Sequence, residues 1–198
     1  MTLKDAGPYN STDLSVEVLG AERGEQEMAK TDLTVNREGL EVQITHVFDA
    51  PRDAVWRVFI DPKLIPQWWG PRNLTTIVDK MDVRVGGAWR YVQKDEQGNE
   101  YAFNGTYKEI KKPELISDTF NYEPIGPGHE LTETARFEEV GSGKTRVTTV
   151  SRYKTIADLE GMLQSGMEKG AGETYERLDE LLEKVQGGTR MPRGQIGS

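Results

Sequence analysis

Residues 156–185 read IADLEGMLQSGMEKGAGETYERLDELLEKV. Ile156, Leu159, Leu163, Met167, Gly170, Thr174, Leu178, Leu181 and Val185 recur at steps of three or four, the period of a helix with a single apolar stripe. The opposite face is acidic, since the stretch carries 8 acidic and 3 basic side chains. Such a helix needs an apolar surface to cover. Gly166, Gly170 and Gly172 fall inside it, and each costs roughly 1 kcal/mol relative to Ala in a helix. They predict a kink or a close approach to the surface beneath; the alternative is a hinge that lets the helix act as a lid.

The chain before this helix supplies the surface. Leu74–Val83, Gly87–Gln93, Tyr101–Ile110, Leu115–Tyr122, Glu130–Phe137 and Thr145–Tyr153 read as strands. Turn residues separate them: Val85-Gly86, Asp95 to Asn99, Lys112-Pro113, Ile125 to Gly128 and Gly141 to Gly143. Spacing this short predicts an antiparallel meander. Further upstream, Leu40, Val42, Ile44, His46 and Phe48 alternate with Glu41, Gln43, Thr45 and Val47, the period of a half-buried strand. Pro51 then opens a short helix bearing Val55, Trp56, Phe59 and Ile60 on one face. Asp61-Pro62 ends it, and a second short helix runs to Trp68-Trp69 before Gly70-Pro71. The predicted class is α+β: a curved antiparallel sheet of six or seven strands around a long C-terminal helix, with two short helices after the first strand.

Composition sets the limits of this domain. Hydrophobic residues make up 35% of the 198, a low share for a compact chain, yet of 16 aromatic residues only Tyr9 lies outside residues 39–186. The core is therefore concentrated. Charge divides the same way: residues 1–38 carry −4, residues 39–155 carry −1, residues 156–185 carry −5 and the remainder +2, for a net −8. Residues 1–38 are expected to form an acidic, disordered arm, in which Leu14, Val16 and Val18 are candidates for an edge strand; residues 39–186 form the domain and 187–198 a flexible tail. No basic stripe suits nucleic acid or an anionic membrane. The absence of cysteine excludes disulfides, thiolate chemistry and Cys-based zinc sites. With no apolar leader or spanning segment, the expected location is the cytoplasm.

The strands concentrate aromatic side chains on one face. Trp89 and Tyr91 share a face, as do Tyr101, Phe103 and Tyr107, and Ile116, Asp118, Phe120 and Tyr122. Tyr and Trp carry polar tips that a dry core must satisfy, so this face reads as the wall of a partly polar pocket, against the alternative of an ordinary core. His46 lies on the apolar face of its strand, where a hydrogen-bonded core residue is the commoner outcome and an orienting ligand contact the other. Asp118 and Glu133 also fall among apolar neighbours. Facing inward they would be desolvated carboxyls able to serve as acid or base; the favoured reading is that bulges turn both to solvent.

Several motifs fail on inspection. Gly141-Ser142-Gly143-Lys144-Thr145 lacks the first glycine of a phosphate-binding loop, because Glu138 stands there, and it joins two strands instead of opening a helix. Two His residues with no supporting pattern build neither a metal centre nor a nucleophilic triad. No cofactor is expected.

Phe48-Asp49-Ala50-Pro51, Val55-Trp56, Asp61-Pro62 and Trp68-Trp69-Gly70-Pro71 together resemble the opening of the family named for the activator of Hsp90 ATPase, in its single-domain branch. Asp82-Val83-Arg84-Val85-Gly86-Gly87-Ala88-Trp89-Arg90-Tyr91 resembles that family's Asp-x-Arg-x-Gly-Gly-x-aromatic segment, and Gly105-x-Tyr107-x-Glu109-Ile110 the strand after it. The resemblance spans residues 39–186. It implies the helix-grip (START/Bet v1-like) fold shared with lipid-transfer domains, pollen allergens and polyketide cyclases, with a cavity between sheet and helix. The expectation that follows is a small hydrophobic molecule held by Trp68, Trp69, Trp89, Tyr91, Phe103, Tyr107, Phe120 and Tyr122, with His46 as a polar contact. Two alternatives stand beside it: an interaction protein for a chaperone or another protein partner, and a cyclase- or dehydratase-type enzyme using His46, Asp118 or Tyr107. No motif requires catalysis, so the enzyme ranks last.

Overall fold

The computed structural model describes residues 31–187. The run Leu14–Val18 and the tail beyond residue 187 lie outside the described residues. Among the described residues eight strands form one antiparallel sheet: β1 (Thr31–Asn36), β2 (Glu41–Phe48), β3 (Thr75–Met81), β4 (Ala88–Lys94), β5 (Glu100–Lys111), β6 (Leu115–Tyr122), β7 (Leu131–Glu139) and β8 (Thr145–Arg152). Their spatial order is β1-β2-β8-β7-β6-β5-β4-β3. The hairpins from β3 to β8 are thus a meander, and β2 closes on the last strand. Between β2 and β3 lie α1 (Arg52–Ile60) and α2 (Ile65–Trp68). The α+β class and the helix-grip arrangement agree with the sequence reading.

Two elements depart from it. The sheet has one strand more than expected, because Thr31–Asn36, read as part of the acidic arm, pairs along β2 from Thr31↔His46 to Asn36↔Glu41. Only Leu33 and Val35 give this edge strand any apolar character, and its residues alternate between half-buried and exposed. The C-terminal helix, read as one element with a kink or close approach at its glycines, is two helices, α3 (Ile156–Gln164) and α4 (Met167–Gly187). Gly166 sits at φ +81°, a left-handed conformation that glycine adopts without steric cost and that ends α3. A close approach to the sheet is not the reason for these glycines: a Cβ on Gly166, Gly170 or Gly172 would touch nothing within 4 Å. Ile156, placed on the apolar stripe, is exposed.

The sheet's inner face and α4 enclose the core. Val42, Ile44, His46 and Phe48 of β2 are buried in alternation, as are Thr145, Val147, Thr149 and Ser151 of β8. Tyr175, Leu178, Leu181 and Leu182 are the buried side chains of α4, which packs against α2, α1 and β1. Phe137 of β7 stands edge-on to both Trp56 and Phe59 of α1, with ring centroids 5.3 and 4.9 Å away. These favourable edge-to-face contacts fix α1 over the sheet. Among the described residues no helix is long and apolar enough to cross a membrane.

Candidate functional site

The C-terminal end of α2 delivers two tryptophans to the sheet. Trp68 Nε1 donates to the Val58 carbonyl at 3.0 Å, which seats its ring under α1. The Trp69 carbonyl accepts from Thr76 Oγ1 at 2.6 Å. Arg177 of α4 donates to the carbonyls of Gly70 and Pro71 at 2.7 and 3.2 Å. Held this way, Trp69 stands edge-on to Tyr91 of β4 and Phe103 of β5, with centroids 5.2 and 5.1 Å apart. Trp89 joins Tyr91 and Phe120, and Phe103 joins Phe120 and Tyr122, so β4, β5 and β6 present one continuous aromatic surface.

Gly105 of β5 is what lets Trp89 lie flat on the sheet. A Cβ there would stand 2.5 Å from Trp89 Nε1 and 1.7 Å from the Thr119 carbonyl oxygen. With that space open, Trp89 Nε1 donates to Asp118 Oδ2 at 2.7 Å.

A row of polar side chains crosses the sheet beneath these rings. Tyr107 of β5 is the register partner of Asp118 of β6, Asp118 of Glu133 of β7, and Glu133 of Ser151 of β8. Ser151 Oγ donates to Glu133 Oε2 at 3.0 Å. Both carboxyls face inward, which corrects the preferred sequence reading of solvent exposure. The register does shift in β5, between Tyr107 and Glu109, but that bulge leaves Asp118 on the same face as Ile116 and Phe120. Burial raises the Asp118 pKa well above the usual carboxylate range; the neighbouring Glu133 adds to the rise, and the Trp89 hydrogen bond opposes it. Burial raises Glu133 too, against the Ser151 hydrogen bond. Desolvation is also the main cause pushing the Tyr91 and Tyr107 hydroxyls up, and the two hydroxyls interact.

These groups border a cavity of about 80 Å³. Of the nine expected contacts, Trp68, Trp69, Trp89, Tyr91, Tyr107 and Phe120 line it, together with Asp118, Glu133 and Phe59. Phe103 and Tyr122 belong to the aromatic surface but stand back from the cavity. A larger recess of about 360 Å³ lies between residues 71–73 and the start of α4, and it carries neither an aromatic wall nor a desolvated carboxyl. The chemistry is in the smaller one. Ser151 escaped the sequence reading, although its inward parity with Val147 and Thr149 marks it.

His46 is elsewhere. Its ring is 1% exposed, with Nδ1 2.7 Å from Thr31 Oγ1 and Nε2 3.1 Å from Asp179 Oδ2. It stacks on Tyr175 at 5.3 Å and an interplanar angle of 7°. The residue therefore ties β1 and β2 to α4. His46→Gln is expected to lower stability by about 1 kcal/mol and to speed amide exchange in β1, while the Trp89 indole resonance stays where it is. A shifted Trp89 signal would place His46 in communication with the cavity instead.

The arrangement can accept hydrogen bonds from, or exchange protons with, a compact guest. Among the described residues no group of three or more His, Asp or Glu side chains converges as a metal site would require. Comparison with known proteins now has a structural footing. The family described as activator of Hsp90 ATPase homolog 1-like protein matches residues 49–183. A crystal structure of a Mycobacterium smegmatis protein is 29% identical, with a TM-score of 0.69, over 78% of this chain and 98% of its own. A solution structure of an Arthrobacter aurescens protein, 21% identical, gives a TM-score of 0.73 over 86% of this chain and 100% of its own. The Silicibacter pomeroyi protein named AHSA1 is 22% identical, with a TM-score of 0.61 over 73% of this chain and 99% of its own. Among curated proteins none matches.

Proposed function

The chain belongs to the family of activator of Hsp90 ATPase homolog 1-like proteins, and from that premise we propose that it is a binding module whose guest enters the cavity between sheet and helices. The observation that supports this reading is the burial of two carboxyls, Asp118 and Glu133, opposite one another inside an aromatic enclosure. A core selected only for stability fills such a place with apolar groups, because buried carboxyls cost more than well-packed hydrophobes of similar volume. Carboxyls desolvated in this way, lining a concave site, have the character of a binding or catalytic position.

Size constrains the guest. Sites for drug-sized molecules run to roughly 300–1,000 Å³, so about 80 Å³ admits a compact molecule or one projecting part of a larger one. A lipid, flavonoid or polyketide enters whole only if the aromatic walls move apart. The wall residues are those expected from the sequence, less His46, Phe103 and Tyr122. Titration of the full chain with fragments and with larger apolar molecules, followed by amide and indole resonances, tests the reading. Shifts confined to Trp69, Trp89, Tyr107, Asp118 and Glu133 are the expected result. An unmoved spectrum across both series removes it. In that case stimulation of the Hsp90 ATPase, the activity in the family's description, is the assay that assigns the chain a protein partner.

A further inference from the structure

The cavity is lined by two carboxyls, by aromatic rings and by Ile65, Ile116 and Ala135, and among the described residues no Lys, Arg or His lines it with them. Asp118 receives one hydrogen bond, from Trp89, and Glu133 one at its carboxyl, from Ser151. From the helical side Phe59, Ile65, Trp68 and Trp69 face the space, and from the sheet the remaining titratable lining groups are Tyr91 and Tyr107; the hydroxyls of Tyr153, just after β8, and of Tyr175 on α4 lie within reach of the Glu133 charge as well. Every one of these partners is neutral. The Lys and Arg ion pairs of the described residues lie elsewhere, at the surface, and the His46–Asp179 hydrogen bond lies outside the cavity lining.

We infer that the cavity takes a compact organic ammonium ion, with Asp118 and Glu133 supplying the counter-charge and Trp69, Trp89, Tyr91 and Phe120 the π faces around the alkyl groups. This rests on the ligand-binding reading above and names the class of guest. An ammonium bearing methyl groups is weakly hydrated, loses little on leaving water, and is attracted to ring faces as well as to carboxylate. A neutral guest of the same shape gains the apolar contact but leaves the carboxyls uncompensated. The volume sets the size at about four to six heavy atoms, counted at roughly one water-sized group per 15 Å³. Burial disfavours the charged form of both carboxyls, raising Glu133 above the usual carboxylate range and Asp118 well above it. A bound cation replaces a proton, which passes to solvent, so binding tightens as pH rises.

Three probes of similar volume separate the contributions: tert-butylammonium, tetramethylammonium and the neutral tert-butanol. Titration calorimetry on the full chain is expected to show both cations binding about tenfold or more tighter than the alcohol. A pH-stat is expected to record base uptake when a cation is added and none with the alcohol. Asp118→Asn/Glu133→Gln, verified as folded by circular dichroism and its thermal melt, is expected to bind all three alike. If the alcohol binds as tightly as the cations, the cationic class is wrong and the ligand reading stands. The cationic class is equally wrong if none of the three binds while the broader panel still shifts Trp89 and Tyr107. If neither series perturbs these resonances, both readings fall together.

Discussion

Gly105→Ala is expected to lower the unfolding free energy by about 3 kcal/mol, the upper part of the range for forcing volume into a packed interior. The cause is space, not backbone conformation, since Gly105 is not among the glycines with positive φ. Between the register pairs Asn104↔Asn121 and Tyr107↔Asp118, the β5–β6 ladder is interrupted, and the Thr106 amide donates to the Thr119 side chain at 3.0 Å. The Thr119 carbonyl oxygen and the Trp89 indole both stand in the space that a Gly105 Cβ would take. An added methyl group cannot be relieved by rotating one flexible side chain. Either β6 shifts or Trp89 lifts, and lifting Trp89 takes its N–H away from Asp118. The variant should therefore lose near-ultraviolet circular dichroism from tryptophan along with stability. Gly172→Ala is the control: a Cβ there meets nothing within 4 Å, and alanine favours the helix, so a gain of up to about 1 kcal/mol is expected. Chemical denaturation of both variants measures the difference, and a Gly105→Ala loss below about 1 kcal/mol would show that the strands yield.

The contrast between these glycines shows where the sequence stopped being informative. Its pattern located Gly166, Gly170 and Gly172 as anomalies, but only Gly166 has a backbone that breaks the helix. The other two lie within α4. Strand β2 was legible because its buried face is apolar and strictly alternating, whereas β1 borrows its stability from β2 and shows too few apolar residues to stand out. Six of the nine expected wall residues line one cavity: Trp89, Tyr91, Tyr107 and Phe120 because period-2 alternation fixes a face regardless of register, and Trp68 and Trp69 because they end α2. Register was needed for the rest. That Asp118 opposes Glu133, and Glu133 opposes Ser151, depends on hairpin turns whose lengths are legible in the chain but whose pairing is not. The contact between His46 and Asp179 joins residues 133 positions apart, and nothing local foretells it.

Asp118→Asn is expected to make the protein more stable than the wild type at neutral pH and to leave it little changed near pH 4. The Asp118 carboxyl has a higher pKa folded than its ordinary value of 3.8, so between those two values the folded state holds a proton that the unfolded chain has lost. Stability falls as pH rises wherever the folded state binds more protons, by about 1.4 kcal/mol per pH unit for one group. The contribution is thus whole below the ordinary value and declines with rising pH until the folded carboxyl ionises. Asparagine keeps an oxygen to accept from Trp89 Nε1 and has nothing to ionise, so the difference between variant and wild type should grow with pH from near zero. Glu123 and Glu130 act in the opposite sense: their salt partners Arg90 and Lys154 hold them down to about 2, and that stability is lost on acidification. They are present in both proteins and cancel in the difference. Glu133 does not cancel fully, because removing the charge at position 118 eases its ionisation; Asp118→Asn/Glu133→Gln should therefore have the shallower pH dependence of the two variants. Urea denaturation from pH 4 to pH 8 measures all three curves, and parallel curves for wild type and Asp118→Asn would mean that the carboxyl is solvated and the cavity carries no stored charge.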